Sequence, residues 1–270
     1  MNKYLQLFRL GNCLMGIVGI FVSAFIAVGL NIGNYWENVL ISCFVVTLFI
    51  AGGNSINDYI DKDIDTISHP DRPIPSGRMK PEDALYVGTG TLLAACILSL
   101  LLKDPLSTII VIVASVLMIS YELLLKQRGF IGNVTIAVLT GMIFLLGGAI
   151  VGHIENSYVV ALLATLVSIG REITKDIEDV DGDKGRSTLP MRVGKKNAGF
   201  IAAFFFVAGP ALSLLPVLNN DLGYLYLTVL VADAMFIYAA LILFNNPHKA
   251  QKTAKFAMMI ALVAFILGVI

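Results

Sequence analysis

Two stretches of this sequence carry acids at a spacing suited to metal chemistry. NSINDYIDKDID occupies positions 54–65 and EITKDIEDVDGD occupies 172–183. With a shift of 118, Asn54 falls on Glu172, Asp58 on Asp176, Asp61 on Asp179, Asp63 on Asp181 and Asp65 on Asp183. On a helix turning about 100° per residue, Asn54, Asp58, Asp61 and Asp65 share an arc of roughly 60°. Glu172, Asp176, Asp179 and Asp183 share the same arc, while Asp63 and Asp181 point away. Gly182 can end the second helix early and leave Asp183 in a turn.

Carboxylates crowded on one face repel one another, and near a membrane their desolvation is costly. A divalent cation relieves both problems. Mg2+ takes oxygen ligands, retains water and is commonly completed by substrate phosphates. The paired clusters therefore predict a clamp for a magnesium-bridged diphosphate. Its metal ligands are Asn54, Asp58, Asp61, Asp65, Asp176, Asp179 and Asp183, with Asp58, Asp61, Asp176 and Asp179 as the catalytic core. One such helix end alone reads equally well as a solvated acidic tip paired with Lys62, Lys175 or Lys184. Two at matching offsets do not. A cation-transport path is the competing reading from another class, since intramembrane acids also mark ion routes.

The segments that follow argue for phosphate. HPDRPIPSGRMKPED runs from 69 to 83 and KGRSTLPMRVGKK from 184 to 196. Arg grips phosphate oxygens bidentately and Lys supplies a compact charge. Arg72, Arg78, Lys126 and Arg186 are the candidate diphosphate ligands, on loops stiffened by Pro70, Pro73 and Pro75. Arg9 and Asn12 open the first apolar run, at the mouth of any cavity there, and Arg128 follows Lys126. Tyr121 and Glu122 stand at the same level. Asp233, inside an apolar run, reads as a helix-packing hydrogen bond, His69 as a loop-surface residue, and Lys249, Lys252 and Lys255 as topological charges only.

The elements that must position these residues are membrane helices. Of 270 residues, 57% are hydrophobic and 14% charged, with mean hydropathy +0.82, against roughly 25% charged in a soluble domain. A formal net charge of zero gives no bulk attraction for nucleic acid. Cys13, Cys43 and Cys96 lie far apart in apolar runs, without zinc, redox or disulfide spacing. Apolar stretches recur near 10–30, 38–60, 82–102, 106–125, 133–152, 158–178, 199–218, 222–244 and 254–270. In lipid each must be helical, because backbone groups find no water there. The run from Leu10 is expected to remain as the first helix. The predicted fold is thus all-α, a polytopic membrane bundle of nine transmembrane helices with an internal four-helix repeat, forming one domain over 1–270. With the N-terminus inside, every Lys and Arg except Lys103 falls on the cytoplasmic side, as positive-inside topology requires.

NDxxDxxxD at 57–65, RPIPSGR at 72–78 and DxxDxxxD at 176–183 resemble the signatures of the UbiA-type intramembrane prenyltransferases. With REITKDIEDVDGDKGRSTLP and YELLLKQRG, they look most like members that build archaeal membrane lipids. That resemblance implies Mg2+ as cofactor, geranylgeranyl diphosphate as donor, and transfer to the secondary hydroxyl of geranylgeranylglyceryl phosphate, within the bilayer, with Arg9, Asn12 and Arg128 as the candidates for holding that acceptor. An aromatic acceptor, as in quinone or chlorophyll-tail prenylation, is the alternative inside the same chemistry. Tyr121 and Lys126 stand five apart, where many superfamily members have four.

Overall fold

The computed structural model describes residues 2–180, 187–219 and 221–270, and among them there is no strand. A short helix α1 (Lys3–Phe8) leads into α2 (Leu10–Val28), and a 3-10 turn joins that to α3 (Trp36–Ile60). Next come α4 (Lys62–Ser68), α5 (Pro81–Ser99), α6 (Pro105–Ser120) with a π-helical turn Tyr121–Leu125, α7 (Phe130–Ala149) and α8 (Tyr158–Asp179). The chain ends with α9 (Leu189–Val193), α10 (Lys195–Ser213), α11 (Leu215–Leu218), α12 (Val229–Ile242) and α13 (Pro247–Val269).

Local signals fix where these helices begin. Proline occupies the first turn of α5, α6 and α13, where its missing N–H costs nothing. Asp104 caps α6 by accepting from the N–H groups of Leu106 and Ser107 at 3.3 and 3.2 Å. Asn246 caps α13 by accepting from Lys249 N–H at 2.9 Å.

Seven helical stretches are long and apolar enough to cross a membrane, which makes this a multi-pass membrane protein. One of them, Leu10–Ile60, runs for 51 residues. A straight helix of that length is about 76 Å, more than twice a hydrocarbon core of about 30 Å. It contains α2 and α3, which pack on each other. α5 is not among the seven. Glu82 and Asp83 in its first turn and the Gly-Thr-Gly-Thr run at 88–91 lower its hydropathy.

α5 nevertheless packs closely on α3, through a pair of glycines. A Cβ on Gly52 would lie 2.9 Å from the Gly88 carbonyl, and one on Gly88 would lie 3.0 Å from the Ile56 amide. Small residues let membrane helices approach backbone to backbone. One apolar core gathers α2, α3, α5, α6 and α7 around Ile20, Val45 and Ala95. A second gathers α8, α10, α12 and α13 around Ile173, Phe206 and Phe236. α7 packs against both α2 and α8 and joins the halves.

Candidate active site

The first acidic cluster lies where α3 passes into α4. Asp58, Asp61 and Asp65 are only 2%, 6% and 3% exposed, so three carboxylates are nearly removed from solvent. Buried charge survives only when it is compensated. Each of the three is met by a cation from another segment. Arg9 bonds Asp58 at 2.5 Å and the Asn57 side-chain oxygen at 3.1 Å. Arg72 bonds Asp65 at 2.5 Å and lies 3.5 Å from Asp58. Lys126 bonds Asp61 at 2.6 Å and Glu122 at 3.1 Å. The Asn57 amide donates to Glu122 at 3.1 Å.

Two backbone irregularities aim these cations. Arg9 has φ 52, the one positive φ at a non-glycine residue among those described. A left-handed residue costs about 1–2 kcal/mol. Here it breaks α1 from α2 and sits beside the acid that its side chain binds. Lys126 follows the π-helical turn, its N–H bonding the Tyr121 carbonyl at 2.9 Å. That bond spans five residues, as a π turn does. The five-residue spacing of Tyr121 and Lys126 therefore stacks them as four would in an α-helix, and the Lys126 ammonium reaches Asp61.

The second cluster closes α8. Asp176 is half-buried and accepts from the Asn133 amide at 2.8 Å, while Asp179, the last residue of α8, is exposed. One turn deeper, Glu172 pairs with Arg171 at 2.8 Å. Asp183 and Arg186 lie outside the described residues. The α6–α7 turn and the first turn of α7 touch the two clusters, through Lys126 on Asp61 and Asn133 on Asp176.

Several expected ligands take other positions. Asn54 donates its amide to the Phe8 carbonyl at 2.9 Å and keeps its side-chain oxygen as an acceptor. Arg78 is exposed and bonds the Gln6 side chain at 2.7 Å and the Asp71 carbonyl at 2.5 Å. It ties the proline loop to α1, where Leu7 packs with Ile74 and Met79. Arg128 is exposed at the α6–α7 turn. Asn12 lines a cavity of 370 Å³ enclosed mainly by α2, α7, α8, α12 and α13, inside the range of roughly 300–1,000 Å³ of small-molecule sites.

The cavity walls are apolar, among them Ile143, Val167, Phe236 and Met258. Its polar groups include Asn12, Arg171, Glu172 and Lys255, with Thr140, Ser168, Asp233 and Ser213. Asp233 has the packing partner its position demands: Ser213 donates to it at 2.7 Å. Sequence reading gave no role to Asn133 or Arg171, and treated Lys255 as a topological charge. Helical phase gives no hint of Arg171, since five residues turn it about 140° away from Asp176 on α8.

The donor set suits Mg2+, being oxygen throughout and buried at the first cluster. Among the described residues no three His, Cys, Asp or Glu side chains enclose a metal position. Magnesium does not need such a cage, because it is commonly held by one or two carboxylates with substrate phosphates completing its shell.

The UbiA prenyltransferase family matches residues 17–265. This chain belongs to that family. The chain is 36% identical to a digeranylgeranylglyceryl phosphate synthase of Methanosphaera stadtmanae, over 99% of each protein. It is 42% identical to that of Methanosarcina barkeri, covering 99% of this chain and 98% of the relative. A solved digeranylgeranylglyceryl phosphate synthase structure superposes with TM-score 0.82 at 34% identity, over 99% of this chain and 97% of that one. A UbiA homologue from Archaeoglobus fulgidus, solved bound to GPP and Mg2+, shares the UbiA fold with TM-score 0.66 at 13% identity, over 98% of this chain and 99% of that one.

Proposed function

We propose that this chain is a Mg2+-dependent prenyltransferase that moves a geranylgeranyl group from geranylgeranyl diphosphate to the secondary hydroxyl of geranylgeranylglyceryl phosphate, forming the second ether bond of archaeal membrane lipids. The observation that carries this reading is the end-to-end likeness to digeranylgeranylglyceryl phosphate synthases. The buried, cation-faced acids beside an apolar cavity support it.

In the reaction the allylic C–O bond of the donor breaks and its electron pair leaves on diphosphate. The acceptor oxygen forms the new C–O bond, and its proton departs with the released diphosphate. Asp58, Asp61, Asp65, Asp176 and Asp179, with the Asn54 oxygen and Asp183, would hold Mg2+, which when bound neutralises charge on the leaving group. Arg72 and Lys126 stand among these acids as donors for diphosphate oxygens, and Arg78 and Arg186 extend that set from the loops. Arg9, Asn12 and Arg128 would guide the acceptor's approach, and of the three Asn12 lines the cavity. The apolar cavity keeps water from the allylic cation and seats the isoprenoid chains.

The fold reading is finer than the seven apolar stretches. Dividing Leu10–Ile60 into α2 and α3, and adding α5, gives nine crossings. A shift of 118 carries α2 onto α7, α3 onto α8, α5 onto α10 and α6 onto α12 to within about six residues, leaving α13 as the ninth. Both acidic ends then face the cytoplasm of the cell membrane, on the side that holds nearly all Lys and Arg. The whole chain is one membrane domain.

Purified protein with Mg2+ and geranylgeranyl diphosphate, offered geranylgeranylglyceryl phosphate or a hydroxybenzoate, tests this by mass spectrometry of the product. The diether phosphate alone is expected. A prenylated hydroxybenzoate in its place would refute the acceptor assignment, and cation flux in liposomes without any transfer would refute the enzyme.

A further inference from the structure

We propose that Arg171 and Lys255 form the seat for the phosphate monoester of the acceptor, a site separate from the cations that face the acidic clusters. This rests on the acceptor assigned above. The two side chains come from different helices, α8 and α13, and line one cavity together with Asn12.

The other cations near the reaction are committed. Arg9, Arg72 and Lys126 each bond a buried carboxylate, and Arg78 bonds Gln6 and Asp71. Arg128 is exposed and does not line the cavity. Arg171 is different. One terminal nitrogen is held by Glu172 at 2.8 Å, while its Nε is buried without a hydrogen-bond partner among the described residues. A guanidinium offers five donors in a fixed fork, and a phosphate answers two of them at once. Lys255 has no carboxylate partner among the described residues, and supplies a second charge on the same cavity. Two cations against the single carboxylate of Glu172 leave this part of the cavity positive.

Depth agrees with the chemistry. Arg171 lies five residues before Asp176, about 7.5 Å deeper along α8. In the acceptor the phosphate and the reacting hydroxyl sit on adjacent carbons of one glycerol. Anchoring the phosphate one turn below the acids therefore holds the hydroxyl near the allylic carbon, which lies below the diphosphate. The apolar walls beyond, including Val167 and Met258, receive the tail.

The test compares wild type with R171Q, K255Q and the charge-keeping R171K. KM is measured separately for each substrate, and equilibrium binding is measured for geranylgeranylglyceryl phosphate against the same prenyl glycerol lacking phosphate. R171Q and K255Q should each raise KM for the phosphorylated acceptor at least tenfold while KM for geranylgeranyl diphosphate moves less than threefold. Preference for the phosphorylated over the unphosphorylated prenyl glycerol should fall at least tenfold, with R171K intermediate. K255Q alters an exposed side chain and serves if R171Q fails to fold. A matching rise in KM for the donor, or an undiminished preference for phosphate, would overturn the proposal. A wild type that binds with that preference yet transfers nothing leaves the seat standing and sinks only the reaction assigned above.

Discussion

The two acidic helix ends carry acids at the same spacing yet stand in different surroundings. At the first, Asp58, Asp61 and Asp65 are buried and faced by Arg9, Arg72 and Lys126. At the second, Asp176 is half-buried against a neutral amide from Asn133, and Asp179 is exposed. The first end is therefore part of what holds the fold together. Its ion pairs join the α1–α2 break to α3, the α6–α7 turn to the α3–α4 junction, and the proline loop to both α3 and α4. The second keeps its most exposed acid on the aqueous side. Two stretches of equal spacing can divide their labour this way because spacing fixes which face the acids occupy, while the neighbouring segments set how deeply each end is buried.

The contrast predicts graded consequences. Asp58→Asn should be the most damaging change, lowering activity at least about 100-fold, the scale of losing a key electrostatic group. It should also cost about 3 kcal/mol of stability, because Arg9 and Arg72 lose a buried partner. Turnover and thermal unfolding in detergent measure both, and a variant with near-native melting would break the structural half of the contrast. Lys126→Met should follow, with activity down roughly tenfold and about 1–3 kcal/mol lost as Asp61 and Glu122 lose the ammonium they share. Asp179→Asn should separate the two ends most cleanly, with activity down at least about tenfold but stability within about 0.5 kcal/mol, as for an exposed site.

The smallest expected effect is that of metal alone. Since Arg9, Arg72 and Lys126 already balance the first cluster, Mg2+ without diphosphate should barely move the melting temperature. Mg2+ with geranylgeranyl diphosphate should raise it clearly, by the linkage of ligand binding to folding. A large shift from Mg2+ alone would mean that the acids bind metal without substrate.

Much of this arrangement was legible in the sequence. Helical phase alone put Asp58, Asp61 and Asp65 on one face, and the apolar runs coincide with helices to within about seven residues. What phase cannot supply is the neighbour across the gap. Arg9 stands 49 residues from Asp58, and its pairing depends on a left-handed backbone residue that no periodicity announces. Arg78 sits in the motif with Arg72, yet the loop turns it toward Gln6. Asn133 carries no charge and gave no signal. Lys255 follows Lys249 and Lys252 in a basic run, so its place on the cavity was hidden by its similarity to them.

The π-helical turn at Tyr121–Leu125 has a consequence for how such chains diverge. It takes up one surplus residue locally, so that everything after it keeps its rotational setting. A lineage can gain or lose a single codon there and still deliver the same ammonium group to the same carboxylate, passing between the two lengths in one step without scrambling the bundle. Sequence alignments that open a gap beside this lysine are thus recording an interchange between two winding numbers, and the amine should be matched across the gap despite the unequal count.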